Sequence, residues 1–119
     1  RVLIAEDNAI NQKVATRMLE KLGCRCDVVA NGVEAVEAVK KIPYDMVFMD
    51  CQMPEMDGWE ATKKIRQLDG PGGKVAIVAM TAEALEGARE RCLETGMDDY
   101  VAKPVMKAEL EETLLRHLS

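Results

Sequence analysis

The 119-residue chain lacks most of the features that would place it at a membrane or on nucleic acid. No apolar run approaches the length of a membrane span, and no signal peptide is visible. There is no basic excess: the net charge is -5, which argues against a nucleic-acid-binding surface. No low-complexity segment and no long internal repeat occur. Four cysteines (Cys24, Cys26, Cys51, Cys92) are present, but their spacing fits no zinc pattern, so they read as reduced thiols of a cytosolic protein. The first residue is not methionine. The expectation is one domain, residues 1–119, cut from a longer polypeptide.

What is present is a globular composition, 48% hydrophobic and 31% charged. Five short apolar runs recur: VLIA at 2–5, DVVA at 27–30, MVFM at 46–49, VAIVAM at 75–80 and YVA at 100–102. Most lack polar alternation, as strands buried on both faces do. Helical patterns separate them. Ile10, Val14, Met18 and Leu22 step by four toward the stop signal Gly23. Ala35, Val36, Val39 and Ile42 follow Asn31-Gly32, and Ala61, Ile65 and Leu68 follow Asp57-Gly58. Leu85, Ala88 and Cys92 precede Gly96, and Met106, Leu110, Leu114 and Leu118 close the chain. The segment DGPGG at 69–73 reads as a loop. Strand and helix alternating five times predict a doubly wound α/β sandwich, with a parallel sheet between helices on both faces. The expected strand order is 2-1-3-4-5.

Polar residues gather where these strands end: Glu6 and Asp7, Asn31, Asp50, Thr81 and Lys103. Ligands of open α/β sheets bind outside the carboxyl ends of the strands, where the strand order reverses. That point lies between strands one and three. It brings Glu6, Asp7 and Asp50 together beside Thr81 and Lys103, and leaves Asn31 as a turn residue on the far side. Two carboxylates about 4 Å apart repel by about 4 kcal/mol at an effective dielectric near 20. One lysine does not offset three acids. Oxygen-only ligands point to a hard divalent cation, and magnesium suits one or two carboxylates, waters and a phosphate oxygen. The competing reading is a plain salt-bridge cluster. A carboxylate beside magnesium can attack a phosphoryl group, and phosphoryl transfer needs mainly positioning and charge neutralisation. Asp50, ending a central apolar strand, is the best nucleophile candidate.

With these residues the chain resembles the receiver domains of two-component response regulators, most of all those attached to hybrid sensor histidine kinases. AEDNAINQKVATRML (5–19), ANGVEAVEAV (30–39), DMVFMDCQMPEMDGWEATKKIR (45–66), AIVAMTAEA (76–84) and GMDDYVAKPV (96–105) carry the resemblance, which covers essentially the whole chain. It implies a flavodoxin-like (βα)5 fold. It implies that Asp50 accepts a phosphoryl group from a partner's histidine. Mg2+, with Mn2+ able to substitute, would be held by Asp7 directly, by Glu6 mainly through water, by Asp50 and by the backbone carbonyl of Gln52. Thr81 and Lys103 would contact the phosphoryl group, Thr81 and Tyr100 would act as a coupled switch, and Gln52 and Glu83 would tune hydrolysis. Pro104 would follow a cis bond that aims Lys103. The implied partner is the phosphotransfer helices of a histidine kinase or a histidine phosphotransfer protein. The implied location is cytoplasmic, including the cytoplasmic part of a membrane-bound sensor kinase.

The wide apolar arc of the first helix makes Ile10, Asn11 and Val14 candidates for docking that partner. Gly87 and small residues suggest a weakly held fourth helix. Trp59, the sole tryptophan, is expected to be partly exposed near the acidic loop, and His117 to be a surface residue remote from the site. Three rival readings stand beside the phosphoacceptor. An aspartate-nucleophile phosphatase would place a second aspartate where Gln52 stands. A flavodoxin-like cofactor binder would need a phosphate loop in place of Glu6-Asp7. A scaffolding receiver would never be phosphorylated.

Overall fold

A computed structural model describes the backbone of residues 1–51, 53–81, 88–103 and 105–118. The expectations placed on Gln52, Glu83, Leu85, Gly87 and Pro104 lie outside the described residues.

Five parallel strands, β1 (Val2–Ala5), β2 (Cys26–Val29), β3 (Met46–Asp50), β4 (Ala76–Thr81) and β5 (Asp99–Ala102), pair in the order β2-β1-β3-β4-β5. The helices are α1 (Ala9–Lys21), α2 (Gly32–Lys41), α3 (Gly58–Arg66), α4 (Ala88–Thr95) and α5 (Lys107–Leu118). Side chains alternate across a strand, and that alternation sorts the core into two layers. Leu3, Val47, Met49, Ile77 and Ala79 face α2, α3 and the Cys92 position of α4. Val2, Ile4, Phe48, Val78 and Val101 face Ala15 and Leu19 of α1 and Leu110 and Leu114 of α5. The chain reverses direction across the sheet after β2, and the right-handed crossover rule then places α2, α3 and α4 on the face opposite α1.

Local signals set the helix ends. Asn8, Asn31 and Asp57 cap α1, α2 and α3 with side chains that accept backbone N–H bonds. Leu22 caps the end of α1, and Gly23 follows with φ 92°, a conformation open to glycine.

Four expectations need correction. β2 and β5 are half-exposed rather than buried on both faces, because among the described residues they are the edge strands of the sheet. The DGPGG segment is not wholly loop, since Pro71–Lys74 forms a short 3-10 turn with proline at its start. Met106 precedes α5 and is exposed, so it does not share the buried face of Leu110 and Leu114. His117 is half-buried against Asp99. Among the described residues no helix is long and apolar enough to cross a membrane.

Candidate functional site

The carboxyl ends of β1, β3, β4 and β5 open into one cleft of about 680 Å³. Its lining includes Glu6, Asp7, Asp50, Thr81 and Lys103, so the five strand-end residues expected to converge do so. Sheet register delivers Asp50 opposite Met80, one residue before Thr81. Lys103 follows β5 immediately, and its backbone N–H donates to the Thr81 carbonyl over 2.7 Å. Backbone pairing therefore fixes the stems of Asp50, Thr81 and Lys103.

Glu6 and Asp50 are 1% and 4% exposed. Lys103 Nζ lies 2.8 Å from Asp50 Oδ2 and 3.0 Å from Glu6 Oε1. The other Glu6 oxygen, Oε2, accepts the Asp7 backbone N–H at 3.0 Å. Gln12 Nε2 donates to the Glu6 carbonyl at 2.5 Å, which ties the first turns of α1 to the end of β1. Burial pushes the Glu6 carboxyl above its usual range. The adjacent Asp50 adds to this, while Lys103 and Asn11 oppose it. Burial also works against the charge of Lys103, but hydrogen bonds and attraction from Asp50 and then Glu6 outweigh it and raise the lysine. One ammonium thus serves two buried carboxylates, while Asp7 stays exposed beside them.

Glu6, Asp7 and Asp50 each offer an oxygen within 4.8 Å of the others. Three acids with oxygen-only donors fit a hard divalent cation. Lys103 balances only one of the three charges, so the residues present suit such an ion. Cys51 also lines the cleft, but burial pushes its thiol up to about 12, which makes it inert.

Gly58 holds the loop after β3 in place. A Cβ there would stand 2.2 Å from the Asp50 carbonyl oxygen, so only glycine lets α3 start this close to the nucleophile candidate. Tyr100 does not line the cleft. It sits on β5, packed against the core and facing a separate cavity with Asp99 and His117. Ile10 (73% exposed), Asn11 and Val14 (39% exposed) lie on the open face of α1, outside the core that Ala15 and Leu19 enter.

Sequence reasoning missed Arg91. From α4 its guanidinium carbon lies 4.4 Å from the centroid of the Trp59 ring on α3, and both residues line the cleft. An isolated aromatic at the rim of an ionic site was the available signal, because such faces attract arginine. Asp99 was missed as well. Burial opposes its charge, but His117, the Tyr100 backbone N–H and Arg116 together lower its pKa.

Residues 2–115 match the family model described as response regulator receiver domain. The hybrid signal transduction protein dokA of Dictyostelium discoideum is 45% identical over 113 residues, covering 95% of this chain and 7% of that protein. Hybrid signal transduction histidine kinase B of the same organism is 43% identical, covering 100% of this chain and 7% of that protein. The chain therefore spans about 7% of the length of these relatives. The receiver domain of sensor histidine kinase PA1611 from Pseudomonas aeruginosa PAO1 superposes with a TM-score of 0.90 at 46% identity, covering 98% of this chain and 95% of that one; its crystal structure has a magnesium ion coordinated in the active site cleft. The receiver domain of the Saccharomyces cerevisiae regulator Ssk1, solved with the histidine phosphotransfer protein Ypd1, superposes at 0.90 with 34% identity, covering 98% of this chain and 86% of that one. A whole-chain family match and close relatives agree with the acidic cleft at the strand ends: the chain belongs to the receiver domains of two-component phosphorelays and is homologous to the receivers of hybrid histidine kinases.

Proposed function

We propose that Asp50 is the phosphoacceptor of this receiver and that the reaction depends on Mg2+ bound by Glu6, Asp7, Asp50 and the Gln52 carbonyl. The observation that carries the reading is the meeting of three carboxylates and one lysine, with both Asp50 and Glu6 buried. Attack by an Asp50 oxygen forms the O–P bond as the P–N bond of a donor phosphohistidine breaks. The histidine nitrogen keeps the electron pair. Bound Mg2+, or Mn2+ in its place, supplies positive charge to the phosphoryl oxygens. Lys103 supplies a second positive charge, transferring its contact from the Asp50 carboxylate to a phosphoryl oxygen. Thr81 donates a hydrogen bond to another oxygen and couples this to Tyr100 two registers back on β5. Gln52 and Glu83 tune hydrolysis.

The donor docks on Ile10, Asn11 and Val14. Beside them lies an apolar groove of about 330 Å³ that also takes in Ala15, Met80 and Val105 and ends at Glu6 and Lys103. Such a groove suits the apolar face of a helix carrying the histidine. The Ssk1–Ypd1 complex supports a histidine phosphotransfer protein, or the equivalent helices of a kinase, as the partner. The parent is a hybrid sensor histidine kinase and this domain is cytoplasmic.

Incubation with Mg2+ and acetyl phosphate, followed by intact-mass measurement, tests the assignment. A gain of one phosphoryl group that disappears in Asp50→Asn is expected. A wild-type chain with no mass gain and no spectral response to beryllofluoride would sink it, and would favour the purely scaffolding role.

A further inference from the structure

We propose that Arg91 selects the phosphodonor: held across the Trp59 indole at the cleft mouth, its guanidinium recruits small dianionic phosphoryl compounds. The inference rests on the assignment of Asp50 as phosphoacceptor and adds a residue to it. Arg91 is exposed, in the first turns of α4, and Trp59 is half-buried in the first turn of α3. Both border the cleft that contains Asp7, Asp50, Thr81 and Lys103. An unrestrained surface arginine sweeps a wide volume. Contact with the ring at 4.4 Å confines this one to the rim. Stacking uses the flat face of a guanidinium and leaves its N–H edge to bind phosphoryl oxygens.

The charge balance points the same way. Lys103 is committed to Asp50 and Glu6. Three carboxylates against Lys103 and Arg91 leave the cleft one unit negative, and a divalent cation turns it one unit positive. Without Arg91 that positive surplus vanishes. A small donor brings no docking surface of its own, so its capture depends on the local field. A protein donor is positioned through α1 instead. The competing explanation is that the Arg91–Trp59 contact only fastens α4 to α3.

The whole chain, saturated with Mg2+, is phosphorylated by acetyl phosphate over a range of concentrations. Arg91→Gln is expected to raise the apparent KM about fivefold and to leave the limiting rate within about twofold. Arg91→Lys should restore most of the loss, because it keeps the charge. Raising ionic strength should erase the difference between wild type and Arg91→Gln. Independently, inorganic phosphate should perturb the emission of Trp59, the sole tryptophan, in wild type and not in Arg91→Gln. An unchanged KM in Arg91→Gln, or a loss confined to thermal stability, overturns the proposal in favour of simple fastening. Failure of wild type to be phosphorylated at all would overturn the Asp50 assignment instead, and the phosphate titration would still decide the role of Arg91.

Discussion

Lys103 Nζ stands 2.8 Å from Asp50 Oδ2, so the residue after β5 reaches across the end of β4 to the last residue of β3. The same ammonium meets Glu6 Oε1 at 3.0 Å. It therefore holds together two carboxylates that would repel one another, from the position a phosphoryl group would share.

Replacing that ammonium separates its two roles. Lys103→Met leaves two buried carboxylates without their cation. In chelator, unfolding should become easier by roughly 3 kcal/mol. Mg2+ should bind about tenfold more tightly, because a competing positive charge is gone. Phosphorylation should nevertheless slow, since a charge on the phosphoryl oxygens is lost. Calorimetric titration with Mg2+ is the check, and weaker binding in Lys103→Met would contradict this account.

Gly58→Ala is expected to damage the site from behind. The added methyl would sit 2.2 Å from the Asp50 carbonyl oxygen, which belongs to a paired strand and cannot move cheaply. A loss of about 3 kcal/mol in denaturant unfolding, with slower acetyl phosphate reaction, is expected. Wild-type behaviour in both assays would show that α3 can retreat without cost.

Arg66 ties down the opposite end of the sheet. Its guanidinium donates to the carbonyls of Gly96, Gly73 and Val75 and to Asp98 Oδ2, at 2.7, 3.0, 2.7 and 2.8 Å. Asp98 Oδ2 also accepts the Ile77 N–H. Arg66→Ala should cost about 3 kcal/mol of stability. Arg66→Lys should recover little, because an ammonium cannot reach all four acceptors. Phosphorylation of the folded variant should be unaffected. Full rescue by lysine would mean that the charge rather than the fork matters.

Asp99 sets a pH dependence. His117 Nε2 lies 3.1 Å from its Oδ2, the Tyr100 N–H donates to its Oδ1 at 2.8 Å, and Arg116 pairs with it. Its folded pKa lies below the usual value near 3.8. The charged form is thus favoured by folding. The resulting stability is present above pH 3.8 and is lost as pH falls through the folded value. Asp99→Asn should be less stable than wild type at neutral pH and converge with it in acid. A gap that stays constant from pH 6 to pH 2 would refute the assignment.

The docking role proposed for α1 has its own test, separate from the chemistry of the cleft. Ile10→Asp with Val14→Asp places charge on residues that are exposed and outside the core. Transfer from a phosphorylated histidine phosphotransfer protein should fall at least tenfold. Reaction with acetyl phosphate should stay within about twofold. Equal losses from both donors would show that the variant harms the site itself.

The reach of the sequence is clearest at the strand ends. Each apolar run announced a strand, and the residue after it was necessarily placed at the carboxyl edge of the sheet. Glu6, Asp7, Asp50, Thr81 and Lys103 could therefore be grouped once the alternation of strand and helix was recognised. Trp59 was legible as a rim residue from its helical phase. Edge exposure was not legible in β2, because DVV reads as an apolar run whether or not a neighbour covers it.

Local periodicity by itself determined the five-strand, five-helix alternation and, through it, the gathering of the acidic residues at the strand ends. These depend on neighbours within a few residues or on a strand's direction. Only the tertiary structure decided which side chains meet across long separations: Lys103 with Glu6, Arg66 with Gly96 and Asp98, Arg91 with Trp59, His117 with Asp99. Those contacts form between different elements, and their distances follow from how helices settle on the sheet rather than from any repeat along the chain. Gly58 belongs to the same class, since the need for glycine there comes from the Asp50 backbone lying against it.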